Sequence, residues 1–247
     1  MSQQESTPEI TLVQYPGLTR GKTISPFCGK VHMTLHAKGL TYRTRNLSTP
    51  MQVKRFNPRG RVPVLIIDGE TFVDSTDIVT ELDRRFPDPR LQPRDPAEWA
   101  PVKILEDWAD EVLYFYDVYL RFCVPENFAR MKKHLLSKLA IPARWIAPVI
   151  AVREARARTR GQGVGLKDAG VVRREFDECL DALVVLLGSD AFVAGPKLTR
   201  ADIAICAVLD QLRLAILTPD AAEAIAKHPE ILDWMARVHA VAPNAAE

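Results

Sequence analysis

The sequence predicts two differently built halves, a mixed α/β half followed by an all-α half. Up to Phe86, strand and helix patterns follow one another in the order β-α-β-(α)-β-β-α. Residues 87–96 then carry four prolines, which neither a helix nor a central strand accommodates. Beyond them the patterns are long and helical, with no convincing strand. We therefore expect a small mixed sheet covered by helices, and a separate helical domain.

The first half opens with a strand, a helix and a second strand. Residues 9–15, EITLVQY, are rich in β-branched and aromatic residues, as strands are. Residues 26–38 have a helical pattern that stops at Gly39, and residues 41–47 alternate with a period of two. This order predicts a parallel βαβ unit.

A hairpin and a closing helix complete this half. Asp68-Gly69 separates two short apolar runs, and this dipeptide is the strongest short signal for a two-residue hairpin. Ile78, Val79 and Leu82 then recur at helical spacing. The hairpin adds two antiparallel strands to the βαβ unit, which makes the predicted sheet mixed.

We divide the chain into a first domain of residues 8–87, a proline-rich linker of residues 88–96 and an all-helical domain of residues 97–247. Residues 161–165, GQGVG, are predicted to form a flexible loop in the last of these. The predicted helices span residues 97–122, 125–160 (bent near Pro142 and Pro148), 167–187, 200–217 and 228–241.

Charge and hydropathy limit the classes of partner. The formal charge of +2 at pH 7 gives no reason to expect nucleic acid or an anionic membrane. No run approaches the roughly 18 apolar residues that a membrane span needs, and the polar first ten residues lack the layout of a signal peptide. We therefore expect a cytoplasmic protein.

The cysteines and histidines predict no metal site. The chain has four cysteines, and no two of them stand at metal-ligand spacing. Cys206 lies in the apolar run ADIAICAVL and is expected to be a small buried hydrophobe. The five histidines form no ligand cluster along the sequence.

The stretch ISPFC leaves three interpretations open. It is a dithiol motif that lacks its first sulfur, a site where Ser25 does the chemistry, or simply a helix cap. Proline favours extended backbone in the residue before it and fits the first helical position, so Ser25 is predicted to be the N-cap of the first helix. The free N–H groups and partial positive charge at such an end favour a thiolate over a thiol.

Four quoted stretches together resemble the cytosolic glutathione transferase superfamily. They are SPFCGKV, NPRGRVPVL and DSTDIV in the first half and LTRADIAI in the second, with the proline-rich linker between the halves. The resemblance spans residues 9–241 and assigns no subclass. It implies a thioredoxin-like domain with a mixed four-stranded sheet, a helical domain that forms the second-substrate pocket, and a homodimer.

The resemblance also implies a site. Ser25 matches the serine whose hydroxyl holds the glutathione thiolate. Pro63 matches the cis-proline that turns the backbone of Val62 toward the cysteinyl part of glutathione. Ser75 would bind the γ-glutamyl carboxylate and Asp74 the γ-glutamyl amine. The implied glutathione-binding residues are Phe27, Arg61, Val62, Pro63, Asp74 and Ser75.

Other residues receive secondary interpretations. Tyr116 and Tyr119 share a helix face and are implied to contact the electrophile in the second-substrate pocket. Cys28 matches the resolving position of glutaredoxin-like relatives, but packing is the better explanation for it because position 25 has no thiol. Tyr15 roughly matches the hydroxyl of tyrosine-type members. Thr199 with Asp202 predicts a structural capping box.

The implied activity is the conjugation of glutathione, as co-substrate and without a metal, to an apolar electrophile in detoxification. A glutathione-dependent isomerase or dehalogenase is an alternative on the same fold. A non-catalytic binding or interaction protein is an alternative of a different class.

Overall fold

The first half of the chain forms a four-stranded sheet with helices packed on it. The computed structural model describes residues 7–17, 23–47, 49–136 and 143–244. They divide into two compact units, one of Met1–Leu91 with Val241–Glu247 and one of Gln92–Ala240. The strands are β1 (Ile10–Gln14), β2 (Arg43–Asn46), β3 (Val64–Ile67) and β4 (Glu70–Val73), and the helices of this unit are α1 (Pro26–Ala37), α2 (Pro50–Val53) and α3 (Ser75–Arg85).

The sheet has the order β2-β1-β3-β4 and mixes both kinds of pairing. β1 pairs with β2 in parallel, as a βαβ unit requires, and β3 is antiparallel to β1 and β4. The predicted mixed sheet is confirmed. The predicted hairpin is also confirmed, since Asp68 and Gly69 both have positive φ (49° and 87°), as a two-residue hairpin turn demands.

The central strand β1 contributes to hydrophobic clusters on both faces of the sheet. Leu12 belongs to a large cluster with α1 and α3, whereas its neighbour Val13 packs in a smaller one with α2. This division follows from the alternation of side chains along a strand. The larger cluster contains Ile10, Leu12, Val31, Leu35, Leu65, Ile67, Ile78 and Leu82.

The second half is helical, as the sequence predicts. The helix predicted over residues 97–122 is present as two α-helices joined without a break by the π-helical segment Ala109–Leu113. The helices are α4 (Pro96–Trp108), α5 (Tyr114–Phe122), α6 (Pro125–Leu136), α7 (Ala143–Gln162), α8 (Ala169–Leu187), α9 (Arg200–Leu212), α10 (Pro219–Ala226) and α11 (Pro229–Val241).

Three expectations for this half need correction or narrowing. The helix predicted over residues 125–160 is described as α6 and α7, and the bend near Pro142 lies outside the described residues. The helix predicted over residues 200–217 ends at Leu212. The short, alanine-rich α10 follows it and was not predicted.

The predicted flexible loop of residues 161–165 is wrong. α7 continues through Gln162, and a 3-10 turn follows at Val164–Leu166. A Cβ on Gly165 would lie 2.6 Å from Thr159 Oγ1, so this glycine permits close packing rather than flexibility.

A membrane span was not expected. Among the helices that the structure describes, none combines the length and the apolar character that a bilayer crossing requires.

Candidate functional site

Two predicted motifs meet at one end of the sheet, and the third, at Ser25, follows the strand that ends there. The register pairs Val13 of β1 with Val64 of β3, and Val64 with Val73 of β4, so these three residues form one row across the sheet. Ser25 follows β1 along the chain, Pro63 directly precedes Val64, and Asp74 directly follows Val73. Because β3 runs antiparallel to both neighbours, the end of β1, the start of β3 and the end of β4 coincide.

Ser25 is the N-cap of α1, as the sequence predicts. Its backbone is extended (φ −100°, ψ 118°), and Pro26 occupies the first helical position. The side-chain oxygen accepts the Cys28 N–H at 3.3 Å, while the Ser25 N–H donates to Thr23 Oγ1 at 3.1 Å. Ser25 itself is half-buried, as is Phe27 in the first turn of the helix.

Cys28 has the properties of a packing residue. Its side chain is fully buried, and burial raises the pKa of its thiol to about 12, although hydrogen bonds with Ser25 and Thr23 act in the opposite direction. A thiol with such a pKa is neutral at physiological pH and a poor nucleophile. The preference for packing over redox chemistry is therefore supported.

Tyr15 directs its hydroxyl to a structural partner. The hydroxyl donates to the Gly60 carbonyl at 3.0 Å, which joins the end of β1 to the loop before β3. Asn57 organises the same loop, since its amide donates to the Arg61 carbonyl at 2.8 Å and its oxygen accepts the Arg59 N–H at 3.0 Å. No role was predicted for Asn57, although an asparagine before proline is a common loop organiser.

The loop ends at a cis peptide bond between Val62 and Pro63, as the resemblance implies. Pro63 is buried, Val62 is half-buried and the Arg61 side chain is exposed. In the part of the chain that the structure describes, the backbone N–H and C=O of Val62 form no hydrogen bond. A donor and an acceptor are thus available next to the row of strand ends.

Asp74 and Ser75 form the start of α3. Asp74 is the N-cap, and its carboxylate accepts the Thr76 N–H at 3.0 Å. Its φ of 76° lies in a region that costs a residue with a side chain about 1–3 kcal/mol and that is common at functional sites. Ser75 is the first residue of the helix and is only 5% exposed, whereas Asp74 is exposed.

A buried lysine links the two helix starts, and the sequence analysis did not identify it. Lys30 of α1 is 1% exposed, and its ammonium group donates to the Thr76 hydroxyl of α3 at 3.3 Å. It places a positive charge behind the region where the resemblance puts the γ-glutamyl group. A single lysine in a helical pattern gives no sequence signal of this kind, because most such residues face solvent.

Tyr116 and Tyr119 lie inside the helical unit, and both are largely buried. The Tyr116 hydroxyl donates to Glu175 at 3.3 Å, and Glu175 also accepts from Lys167 at 2.6 Å. The Tyr119 hydroxyl donates to the Lys167 carbonyl at 3.4 Å. Burial raises the pKa of both phenols, so both remain protonated hydrogen-bond donors.

Comparison with protein families identifies both halves of the chain. Residues 21–90 match the family model "Glutathione S-transferase, N-terminal domain", and residues 159–241 match "Glutathione S-transferase, C-terminal domain". The first match contains the motifs around Ser25, Pro63 and Ser75. The chain belongs to the glutathione S-transferase superfamily, and its thioredoxin-like and helical domains are those of that superfamily.

Individual relatives are distant. The chain is 35% identical over 97 residues to the uncharacterized GST-like protein YibF of Escherichia coli, across 38% of this chain and 48% of YibF. It is 24% identical over 220 residues to Failed axon connections of Drosophila melanogaster, across 82% of this chain and 50% of the relative. The chain thus spans about half the length of these curated relatives.

Solved structures share the fold over nearly the whole chain. One is the glutathione S-transferase of Methylobacterium radiotolerans in complex with glutathione sulfonate. It superposes with a TM-score of 0.61 at 23% identity, covering 97% of both chains.

Proposed function

We propose that this protein is a glutathione transferase in which the Ser25 hydroxyl holds the glutathione thiolate for attack on an apolar electrophile. The observation that carries the proposal is the hydrogen-bond arrangement of Ser25 at the start of α1. The oxygen uses a lone pair to accept the Cys28 N–H, and the hydroxyl hydrogen, which also reaches the Cys28 thiol, would turn to donate to a sulfur outside the helix. The positive end of the helix dipole acts in the same direction.

The energetic requirement is modest. A thiol with a pKa near 8.5 is only a few per cent ionised at pH 7, and lowering that pKa by roughly two units requires about 2.7 kcal/mol of preferential thiolate stabilisation. A charge-assisted hydrogen bond and a helix N-terminus together supply an effect of this size. The pKa of the Cys28 thiol is raised, not lowered, because that thiol is buried below the same helix start.

The rest of the peptide would be held along the row of strand ends. The N–H and C=O of Val62 would pair with the cysteinyl backbone as an added strand does. The exposed Arg61 guanidinium would meet the glycyl carboxylate, and Phe27 would line the site at the first turn of α1. The Ser75 hydroxyl and the N-terminal N–H groups of α3 would bind the γ-glutamyl carboxylate, and Asp74 its amine.

In the conjugation step, the thiol proton first leaves to solvent. The glutathione sulfur then forms a bond to the electrophilic carbon, and the leaving group departs with the bonding electron pair. Tyr116 and Tyr119 are proposed to contact the electrophile. The proposal includes a homodimer in the cytoplasm that detoxifies small electrophiles. Isomerisation or dehalogenation would begin from the same thiolate, so these alternatives differ only in the second substrate.

The test separates the chemistry of Ser25 from its role as a cap. Ser25→Ala removes both the cap and the hydroxyl, whereas Ser25→Asp keeps an N-cap acceptor but places a negative charge next to the thiolate. We expect both variants to lower kcat/KM for conjugation of a chloronitrobenzene by roughly 10–100-fold. Asp95→Ala is the matched control, because Asp95 caps α4 before Pro96 just as Ser25 caps α1 before Pro26.

The outcomes distinguish the alternatives. Unchanged conjugation by a folded Ser25→Ala variant would contradict the role of Ser25. Retention on immobilised glutathione without turnover of the chloronitrobenzene would favour an isomerase or dehalogenase, to be assayed directly. No retention, and no thermal shift at millimolar glutathione, would favour a non-catalytic interaction protein.

A further inference from the structure

Three side chains of types that bind metal ions come together in the helical unit, two from α9 and one from α11. Cys206 and Asp210 stand four residues apart on α9 and therefore share a face, and His239 approaches them from α11. The Cys206 Sγ lies 3.6 Å from His239 Nε2, which lies 2.9 Å from Asp210 Oδ1. All three atoms lie within 4.8 Å of one another.

The thiol and the carboxylate approach the same ring nitrogen. When Nε2 carries a hydrogen it donates to Asp210, and it then has no lone pair for the Cys206 thiol. This arrangement is not that of a nucleophilic triad, where the acid orients the imidazole through the other ring nitrogen. A cation in place of the hydrogen would satisfy the thiolate, the imidazole and the carboxylate at once.

Two of the three ligand-atom separations fit a tetrahedral zinc site, and the Cys206–Asp210 pair, which lies within 4.8 Å, would have to come closer. Zinc ligand distances of about 2.3 Å to sulfur and about 2.0–2.2 Å to nitrogen or oxygen place neighbouring ligand atoms about 3.3–3.6 Å apart. The sulfur-to-nitrogen distance of 3.6 Å already has this value. The His239–Asp210 pair would separate by about 0.5 Å, which is within reach of a rotation of the carboxylate.

Exposure leaves one side of the group open. Cys206 is fully buried, whereas the side chains of His239 and Asp210 are 29% and 17% exposed. An ion would therefore enter from solvent and keep water in a fourth position. Arg213 and Asp202 contribute opposing charges nearby. The Arg213 guanidinium contacts the Met235 sulfur at 3.8 Å, and Asp202 is engaged by donors of its own.

We propose that Cys206, Asp210 and His239 bind Zn²⁺ or a similar borderline divalent metal, and that the ion fastens α11 to α9. Binding would replace the thiol hydrogen of Cys206, which is released as one proton, while the hydrogen of His239 moves to Nδ1. Because the cysteine must lose its proton to bind the ion, metal affinity should rise with pH. This proposal does not depend on the glutathione chemistry, since all three residues lie within the helical unit.

The test uses the full chain, freed of metal, and Co²⁺ as a spectroscopic probe. We expect one equivalent of Co²⁺ to give a thiolate-to-cobalt charge-transfer band that Zn²⁺ removes. Cys206→Ala and His239→Gln should abolish the band. His228→Gln and Cys179→Ala are the controls, because His228 faces Asp181 at 3.8 Å elsewhere in the same unit and Cys179 is a partly buried thiol.

A second readout covers the case in which a variant folds poorly. Zn²⁺ alone should raise the unfolding temperature of the wild type and of His228→Gln, but not that of the partly exposed His239→Gln variant. The proposal is overturned if no thiolate band forms in the folded wild type. It is also overturned if the band survives in His239→Gln, or if Zn²⁺ stabilises that variant as much as the wild type.

Discussion

Each unit is built around one buried helix, and the two helices accommodate polar groups differently. In the sheet unit, α1 buries Lys30, His32 and Thr34 along its middle. In the helical unit, α9 is almost wholly buried, yet its buried charges, Arg200 and Asp202, are confined to its first turn. The polar middle of α1 hydrogen-bonds to the end of β1 and to the start of α3, whereas the middle of α9 is largely apolar.

His32 of α1 belongs to a chain of neutral polar groups. His32 is fully buried, with Nε2 2.7 Å from the Gln14 amide oxygen and Nδ1 2.7 Å from the Tyr42 hydroxyl. Because the Gln14 oxygen only accepts, His32 carries its hydrogen on Nε2 and accepts from Tyr42. His36 Nε2 then donates to Tyr42 at 3.0 Å. In this arrangement the His32 ring is neutral.

The start of α9 is charged. The Asp202 carboxylate accepts from the Val193 N–H (2.7 Å), the Thr199 N–H (2.9 Å), the Thr199 hydroxyl (2.7 Å) and the Trp234 indole (3.0 Å). Arg200 pairs with the buried Glu106 at 2.6 Å. The predicted capping box of Thr199 and Asp202 is confirmed. The start of α9 is therefore fastened by four hydrogen-bond donors to Asp202, whereas the start of α1 is capped by one hydrogen bond to Ser25.

Breaking the start of α9 should have the largest effect on stability. Asp202→Ala leaves several buried donors without an acceptor, and we expect a loss of about 3 kcal/mol or more in the free energy of unfolding. Urea unfolding followed by circular dichroism measures it. Asp95→Ala, which removes an exposed cap, should cost about 1 kcal/mol. Equal losses in the two variants would contradict the special weight given to Asp202.

Protonating the chain along α1 should have a smaller effect that depends on pH. Burial, followed by the charge of His36, lowers the pKa of His32 to about 4. Between the unfolded value near 6.5 and this value the unfolded state binds more protons, so stability falls as pH decreases through that window. We expect a loss of about 2 kcal/mol between pH 7 and pH 5 from this group.

Urea unfolding at several pH values checks this expectation. His32→Gln should reduce the pH dependence, and His228→Gln, on the surface of the other unit, should not. An unchanged pH dependence in His32→Gln would mean that other groups cause it.

Removing the single cap of α1 should have the smallest effect on stability. Ser25→Ala deletes one acceptor for the Cys28 N–H and should cost about 1 kcal/mol, whereas Ser25→Asp should restore most of that loss. Thermal unfolding of both variants measures the difference. A loss in Ser25→Ala as large as that in Asp202→Ala would remove the contrast between the two helix starts.

The sequence predicted those parts of the fold that depend on local chemistry. The Asp68-Gly69 turn, the Ser25 cap and the start of α3 all follow from residues within a few positions of one another. Tertiary packing determined the rest. Gly165 looked flexible, but close contact with Thr159 selects it. Lys30 carries no signal in the sequence, because its burial depends on α3, which packs against α1.

Tertiary packing also explains why two further features were not predicted from the sequence, the Cys206, Asp210 and His239 group and the role of Asn57. Cys206 and Asp210 lie on one helix, but His239 joins them only through the packing of α11, so no motif signals the group. Asn57 acts on the backbone of its own loop, and such a role leaves only the weak signal of an asparagine before proline. A role that depends on a neighbouring residue along the chain can be predicted from the sequence, whereas a role that depends on a residue distant in the chain cannot.

The bond between the Tyr15 hydroxyl and the Gly60 carbonyl has a consequence for variants near Ser25. It fixes the point where the polypeptide leaves β1, while Ser25 is fixed separately by its own helix. The two fastenings share no atom, so a substitution at Ser25 leaves the junction between β1 and the loop before β3 in place.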